Sequence, residues 1–202
     1  LLKSDKYRIL QGIILKTINE MLTHIPLCTH AEPQNIITID ASSELLAELS
    51  KYKDINITEL TSDSAIAMLT NMDEKSSDII INTTNNFVSD EIFWGIANRV
   101  LTTKGLCVCL ASSPMSKVDD AKSELKAIGS IFRIVMPYSF YSNDDKVSYA
   151  YMATKFYHPT ADINLQRADL TDGHEYYNCD IAISAFTMPT SVRKRFLGLI
   201  KS

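Results

Sequence analysis

Glycine is scarce in this 202-residue chain, with 6 in all, and none falls in the turn Asp40-Ala41-Ser42-Ser43. A glycine-rich nucleotide turn of the usual kind is therefore missing from the place where the first apolar strand ends. Long apolar runs are absent as well: no stretch approaches the ~20 residues needed to cross a bilayer. The start, Leu1-Leu2-Lys3-Ser4-Asp5-Lys6, lacks the apolar centre of a signal peptide. The expectation is a cytoplasmic protein with no membrane partner. Positive charge is not in excess either. A formal net charge of −4 offers a phosphate backbone no basic face, so nucleic acid is not an expected partner. The four cysteines are scattered, and Cys107 and Cys109 are spaced for neither a disulfide nor a zinc knuckle. They read as small buried hydrophobes, and no metal is expected.

What is present is ordinary for one well-buried core: 46% hydrophobic and 22% charged residues in a length too short for two full domains. The organising stretch is Asp78-Ile79-Ile80-Ile81-Asn82, a β-branched run that stops at the small polar residues Thr83-Thr84-Asn85-Asn86. Such a run predicts a strand buried on both faces, with a loop at its carboxyl end where open α/β sheets bind ligands. Ile36 to Asp40, Ile55 to Leu60 and Gly105 to Ala111 read as further strands. Helices are predicted from Ser42 (apolar Leu45, Leu46 and Leu49), from Ala65 to Leu69, from Asp90 to Leu101 and from Lys117 to Ile128. Lys104-Gly105 reads as a helix stop and Gly129 as a helix cap. Upstream, Tyr7 to Gly12 reads as a short strand and turn, and a helix over 13–24 is expected to end at Pro26. After Ile128 the chain is rich in tyrosine, and Phe132 to Met136, Val147 to Lys155 and Cys179 to Ala182 read as strands or irregular segments, fitting antiparallel strands appended to a parallel sheet.

Several segments carry a resemblance. Glu20-Met21-Leu22-Thr23-His24-Ile25-Pro26-Leu27, followed by His30 and Pro33, resembles the "Y-x-E-M-L-x-H-x-P-L … H-x-x-P" entry to the core of spermidine synthases and related aminopropyltransferases. Tyr176-Tyr177-Asn178-Cys179-Asp180-Ile181 and Ala185-Phe186-Thr187-Met188-Pro189 are similar to that family's "Y-Y-N-x-x-(V/I)-H-x-A-A-F-x-L-P". Tyr151 to Lys155 and Leu10-Gln11-Gly12 match more weakly, in the right order. The resemblance implies a Rossmann-like, methyltransferase-type α/β fold, mostly parallel with antiparallel C-terminal strands. It also implies that residues 1–12 are a remnant of a small N-terminal β-domain and 13–202 the catalytic domain. The implied reaction moves an aminopropyl group from decarboxylated S-adenosylmethionine, a co-substrate rather than a cofactor, to putrescine or a similar diamine. A homodimer is implied too.

By the same resemblance the co-substrate would meet Asp40, Ser43, Glu59, Asp63 and Thr83, the amine Glu20, Tyr176 and Tyr177, and the two catalytic acids would fall on Asn82 and Asn85. There the chain departs from the pattern. Asp40-Ala41-Ser42-Ser43-Glu44 replaces "G-G-G-D-G", both loop acids are neutral, and Ile18 and Ala182 stand at the places of a tyrosine and a histidine. An amide does not take up a proton at neutral pH, and a general base contributes ~10²–10⁴-fold. The alternative is accordingly a catalytically degenerate homologue that binds a polyamine or nucleoside or acts as a partner subunit; a methyltransferase on the same fold is a third reading. His24 and His30 read as structural. From Asp40 to Asn82 the chain is also roughly 30 residues short of two full βα units. Either one unit is lost or residues are missing there, and the shortened Gly12 to Glu20 motif favours the second.

Overall fold

A strand made of Ile79, Ile80 and Ile81 has no polar face, so it requires a layer of cover on each side. The computed structural model, which describes residues 2–142 and 146–202 with side chains from Lys16 onward, supplies both. Its six-stranded sheet has the order β2-β1-β3-β4-β6-β5, with β1 at Asn35–Ile39, β2 at Asn56–Leu60, β3 at Ser77–Asn82, β4 at Leu101–Ala111, β5 at Ile134–Ser142 and β6 at Lys146–Thr154. The first four are parallel; β6 runs antiparallel to β4, and β5 antiparallel to β6. A mostly parallel α/β sheet with antiparallel C-terminal strands is what the sequence predicts.

Ile79 and Ile81 face one apolar cluster and Ile80 the other. On the Ile80 side lie α3 (Ser62–Asn71), α4 (Glu91–Val100) and α5 (Val118–Gly129), contributing Leu69, Phe93, Trp94 and Leu125. Opposite lie α1 (Leu2–Thr29), α2 (Ser43–Leu49), α6 (Leu165–Leu170) and α7 (Cys179–Ser184), with Met21, Leu22, Leu45 and Ala182. A last helix, α8 (Thr190–Arg195), brings Val192 to the first cluster. The helix starts are set locally. Ser42 accepts the Leu45 N–H at 3.1 Å, and Asp90 accepts the Ile92 N–H at 2.8 Å, each an N-cap. Cys107 and Cys109 are fully buried, and burial pushes both thiols up.

Four local expectations are corrected. The strand and turn over Tyr7–Gly12 are helical, as part of α1: without a neighbouring strand, a helix is the conformation that satisfies the backbone groups internally. Nor does Pro26 end that helix, which runs to Thr29 with the His30 N–H on the Pro26 carbonyl at 2.9 Å. Proline costs the helix one bond and a clash, about 3 kcal/mol, but full burial of Met21, Leu22, Ile25, Leu27 and Cys28 around it offsets that. Lys104-Gly105 is no helix stop, because α4 ends at Val100 and Gly105 lies inside β4. The pairing with β3 shifts here, and a Cβ on Gly105 would sit 2.8 Å from that of Leu101, so glycine permits a close approach. Finally, Cys179 to Ala182 begin a helix capped by Asn178, whose side chain accepts the Ile181 N–H at 2.8 Å.

The carbonyls at the end of α1 converge on Arg167, whose guanidinium donates to Leu27 at 2.6 Å, His30 at 2.7 Å and Ala31 at 2.6 Å. Replacing it strands three acceptors at once. Arg167→Ala is expected to lower stability by about 2 kcal/mol, read as a fall in the urea midpoint, and Arg167→Lys to recover only part of it, because an ammonium lacks the planar fork.

Candidate functional site

Three loops meet at the carboxyl ends of β1 and β3. The first turns at Asp40, where the resemblance expects glycine, and its φ of 53° is in the left-handed region that Asp tolerates better than most residues. Its carboxylate accepts the Ser62 N–H at 2.9 Å and the Ser62 hydroxyl, tying the end of β1 to the start of α3. Thr83 closes the second junction: its hydroxyl donates to the Asp40 carbonyl at 2.7 Å, with that of Ile39 at 3.0 Å. Asp40 and Thr83 are thus brought together. Ser43, in the first turn of α2, is exposed and bonded to Glu44 at 3.2 Å. Glu59, paired with Thr38 in β2, and Asp63, in the first turn of α3, are exposed as well.

The third loop locks itself. Asn82 is fully buried, and its side-chain oxygen accepts both the Thr84 N–H and the Thr84 hydroxyl at 3.0 Å. Asn82 therefore shapes the turn, while Asn85, three residues on, lines a cavity of about 490 Å³ with Thr83 and Thr84. Ile18 of α1, Leu110 and Ala111 at the end of β4, Ser113, and Val147 to Tyr149 of β6 complete the wall. None of the described lining residues is charged. Burial raises the pKa of Tyr149, against a hydrogen bond with Ser113. Tyr149 and Ser113 carry no motif in the sequence; only the pairing of β6 with β4 brings them here. A larger cavity, about 670 Å³ between β5 and the C-terminal residues, shares no residue with these loops and is the lesser candidate.

The remaining predicted residues act through the backbone. Glu20 is fully buried, and its carboxylate accepts the N–H groups of Glu175 and Tyr176 at 2.9 Å and of Tyr177 at 2.8 Å. That bond set fixes the segment 175–177 against α1. The Tyr176 hydroxyl accepts the Tyr141 N–H at 2.9 Å, and Tyr177 is buried, its ring 5.1 Å from that of His24.

One turn along α1 from Glu20 lies a buried polar cluster that sequence spacing did not reveal. His24 meets the Tyr52 hydroxyl at 2.7 Å through Nδ1 and the Glu48 carboxylate at 2.8 Å through Nε2, and Lys51 lies 2.6 Å from the same carboxylate. Burial works against the Glu48 carboxylate, but the hydrogen bonds from His24 and Lys51 outweigh it and bring its pKa down to about 2. With Glu48 ionised and burial lowering the pKa of His24, Nε2–H donates and Nδ1 accepts. The His174 ring lies 4.0 Å from that of His24. Burial, then the neighbouring His24 and Lys51, lower its pKa to about 4, and among the described residues neither of its nitrogens has a hydrogen-bond partner.

The signs of these shifts set the acid behaviour. A histidine held below its ordinary 6.5 contributes stability that is whole above pH 6.5 and lost as pH falls to about 4. A carboxylate held below 4.5 contributes stability that is lost as pH falls from there to about 2. Urea midpoints measured against pH are expected to show both declines, with His174→Phe flattening the upper window and Glu48→Gln the lower.

Comparison with known proteins bears on the whole chain. No family model matches it. It is 25% identical over 212 residues to the polyamine aminopropyltransferase of Helicobacter pylori strain HPAG1, covering 91% of this chain and 78% of the relative. The fold superposes on a spermidine synthase in complex with the transition-state analogue AdoDATO with a TM-score of 0.81 at 17% identity, over 91% of this chain and 76% of that one. Spermidine synthase from Thermotoga maritima gives a TM-score of 0.78 at 18% identity, over 91% and 75%. Sequence and fold agree with the motifs at both ends: over most of its length the chain is similar to polyamine aminopropyltransferases and has the fold of spermidine synthases.

Proposed function

We propose that this chain is a spermidine-synthase-like aminopropyltransferase, taking decarboxylated S-adenosylmethionine as co-substrate and putrescine or a similar diamine as acceptor, with no metal, in the cytoplasm and as a homodimer. The observation that carries the reading is the uncharged 490 Å³ cavity beside the Asp40–Thr83 junction, at the sheet end where α/β folds bind their ligands. In the transfer, the lone pair of a neutral amine attacks the carbon next to the sulfonium. The C–S bond breaks, its electrons pass to sulfur, and methylthioadenosine leaves while the new ammonium sheds a proton. Asp40 and Thr83 hold the turn against which the nucleoside lies, flanked by Ser43, Glu59 and Asp63. Glu20, Tyr176 and Tyr177 keep the acceptor side in place through the segment 175–177. Of the two catalytic positions, Asn85 faces the cavity and Asn82 supports it through Thr84.

No described carboxylate lines the cavity, so the proton passes to water. That same observation favours the second reading, a homologue that binds a nucleoside or polyamine, or serves as a partner subunit, without turnover. Incubating the protein with decarboxylated S-adenosylmethionine and putrescine is expected to yield spermidine and methylthioadenosine, at a rate that climbs with pH toward the amine pKa of about 10. Asn85→Asp, which places a base in the cavity, is expected to raise kcat at neutral pH by about a hundredfold, the lower end of the ~10²–10⁴ range of general-base catalysis. Methylthioadenosine that raises the melting temperature without any spermidine being formed would leave the second reading standing. No melting shift and no heat with either nucleoside would remove both readings that require nucleoside binding.

A further inference from the structure

Pro137 leaves a gap along the outer edge of β5. The C-terminal chain is fastened to that edge on either side of it: Val135 exchanges bonds with Lys201 at 2.8 and 3.1 Å, and the Ser139 N–H donates to the Ala185 carbonyl at 2.9 Å. These two attachments are four residues apart, about 13 Å along the strand. Pro137 between them has no N–H, so no donor there draws the covering chain inward. A cavity of about 670 Å³ opens between β5, α7 and the C-terminal residues. That volume falls in the range of small-molecule sites, roughly 300–1,000 Å³.

The lining divides by chemistry. Met136, Pro137, Ile183, Phe186, Phe196 and Leu197 give it an apolar wall, in which Leu197 is 84% exposed. Arg193 of α8 and His158, from the segment after β6, supply nitrogen groups. Among the described residues no hydrogen bond or ion pair engages the Arg193 guanidinium. The Thr160 N–H donates to Nδ1 of His158 at 3.3 Å, which leaves the ring proton on Nε2. Both nitrogen groups are therefore donors, and no described lining residue is acidic.

We propose that this cavity is a second ligand site, separate from the loops after β1 and β3, and that it takes a carboxylate carried on an apolar chain, such as a medium-chain fatty acid. Charge complementarity fixes the head group. A planar guanidinium offers a carboxylate two parallel N–H bonds, and with no acid among the described lining residues the negative charge comes from the occupant. The apolar wall fixes the body, since each methylene taken out of water tightens binding about fourfold. Bounded by β5, α7 and the C-terminal segment, the space suits a single alkyl chain rather than the surface of a second protein. It shares no residue with the cavity at Thr83 to Asn85, so an assay of aminopropyl transfer leaves the site standing or falling by itself.

Calorimetric titration of the full chain with octanoate, decanoate and dodecanoate, each kept below the concentration at which it forms micelles, is expected to show affinity rising about fifteenfold for each two-carbon step. Decyltrimethylammonium, with a chain of the same length as decanoate and the opposite charge, is expected to give no heat. Arg193→Leu keeps the apolar wall and is expected to weaken decanoate about ten- to hundredfold, with Arg193→Lys recovering part of the loss. Leu197→Glu, which adds a negative charge to the lining, is expected to weaken it as well. Both positions are exposed, so the melting curves of these variants without ligand are expected to match the wild type and to separate a lost site from a lost fold. No heat with any of the three carboxylates, an affinity indifferent to chain length, or decanoate binding unmoved by both Arg193→Leu and Leu197→Glu would overturn the proposal. So would an affinity that falls as protein concentration rises, the sign of a second copy of the chain seated in the cavity.

Discussion

Burial of β3 on both faces is the constraint from which the rest of the architecture follows. Three consecutive isoleucines with no exposed surface cannot sit at an edge or under a single layer, so the chain must deliver helices to both sides. α1 and α2 take one side, and α3, α4 and α5 take the other. Because β1 and β4 run parallel to β3 on either hand, the loops after all three strands emerge at one end. The cavity forms there.

At that end the chain uses neutral groups where its resemblance expects charge. Asn82 holds Thr84, Thr83 holds the turn after β1, and the wall opposite is Leu110, Ile18 and Tyr149. The one carboxylate in these junctions, that of Asp40, is occupied by Ser62. Buried charge is instead concentrated between α1, the end of α2 and the segment 173–177, where Glu20 and Glu48 are each fully engaged. A carboxylate with that many donors is tied to its structural task.

The two ends of the sheet also differ in how their backbone is used. The tyrosine-rich C-terminal third, whose sequence reads as strands or irregular segments, wraps the β5 edge and consumes its N–H groups through Lys201, Ala185 and Tyr176. Among the described residues nothing comparable covers β2, because the chain passes directly from it into α3 and back to β3. The stretch from Asp40 to Asn82 therefore contains one edge strand and its two crossovers, and that short count is what leaves β2 outermost.

Periodicity and capping residues by themselves determined β1, β3 and β4, the helices α2, α4 and α5, the order of these elements and the polar loop at Asn82 to Asn86 after β3, since these depend on neighbours a few residues apart. The motifs at Glu20 and Tyr176 carried the resemblance to spermidine synthases, with which the sequence likeness and the fold agree. Tertiary structure decided whatever depends on contacts distant in sequence. It made Tyr7 to Gly12 helical for want of a partner strand, and it carried α1 past Pro26 because the surrounding side chains are buried. It turned Glu20 from a candidate substrate contact into the acceptor of three backbone N–H groups more than 150 residues away. Tyr149 entered the cavity, and His24 joined Glu48 and His174, for the same reason. A hydrogen bond or a cavity wall is a relation between positions in space, and local pattern encodes the elements but not the distances between them.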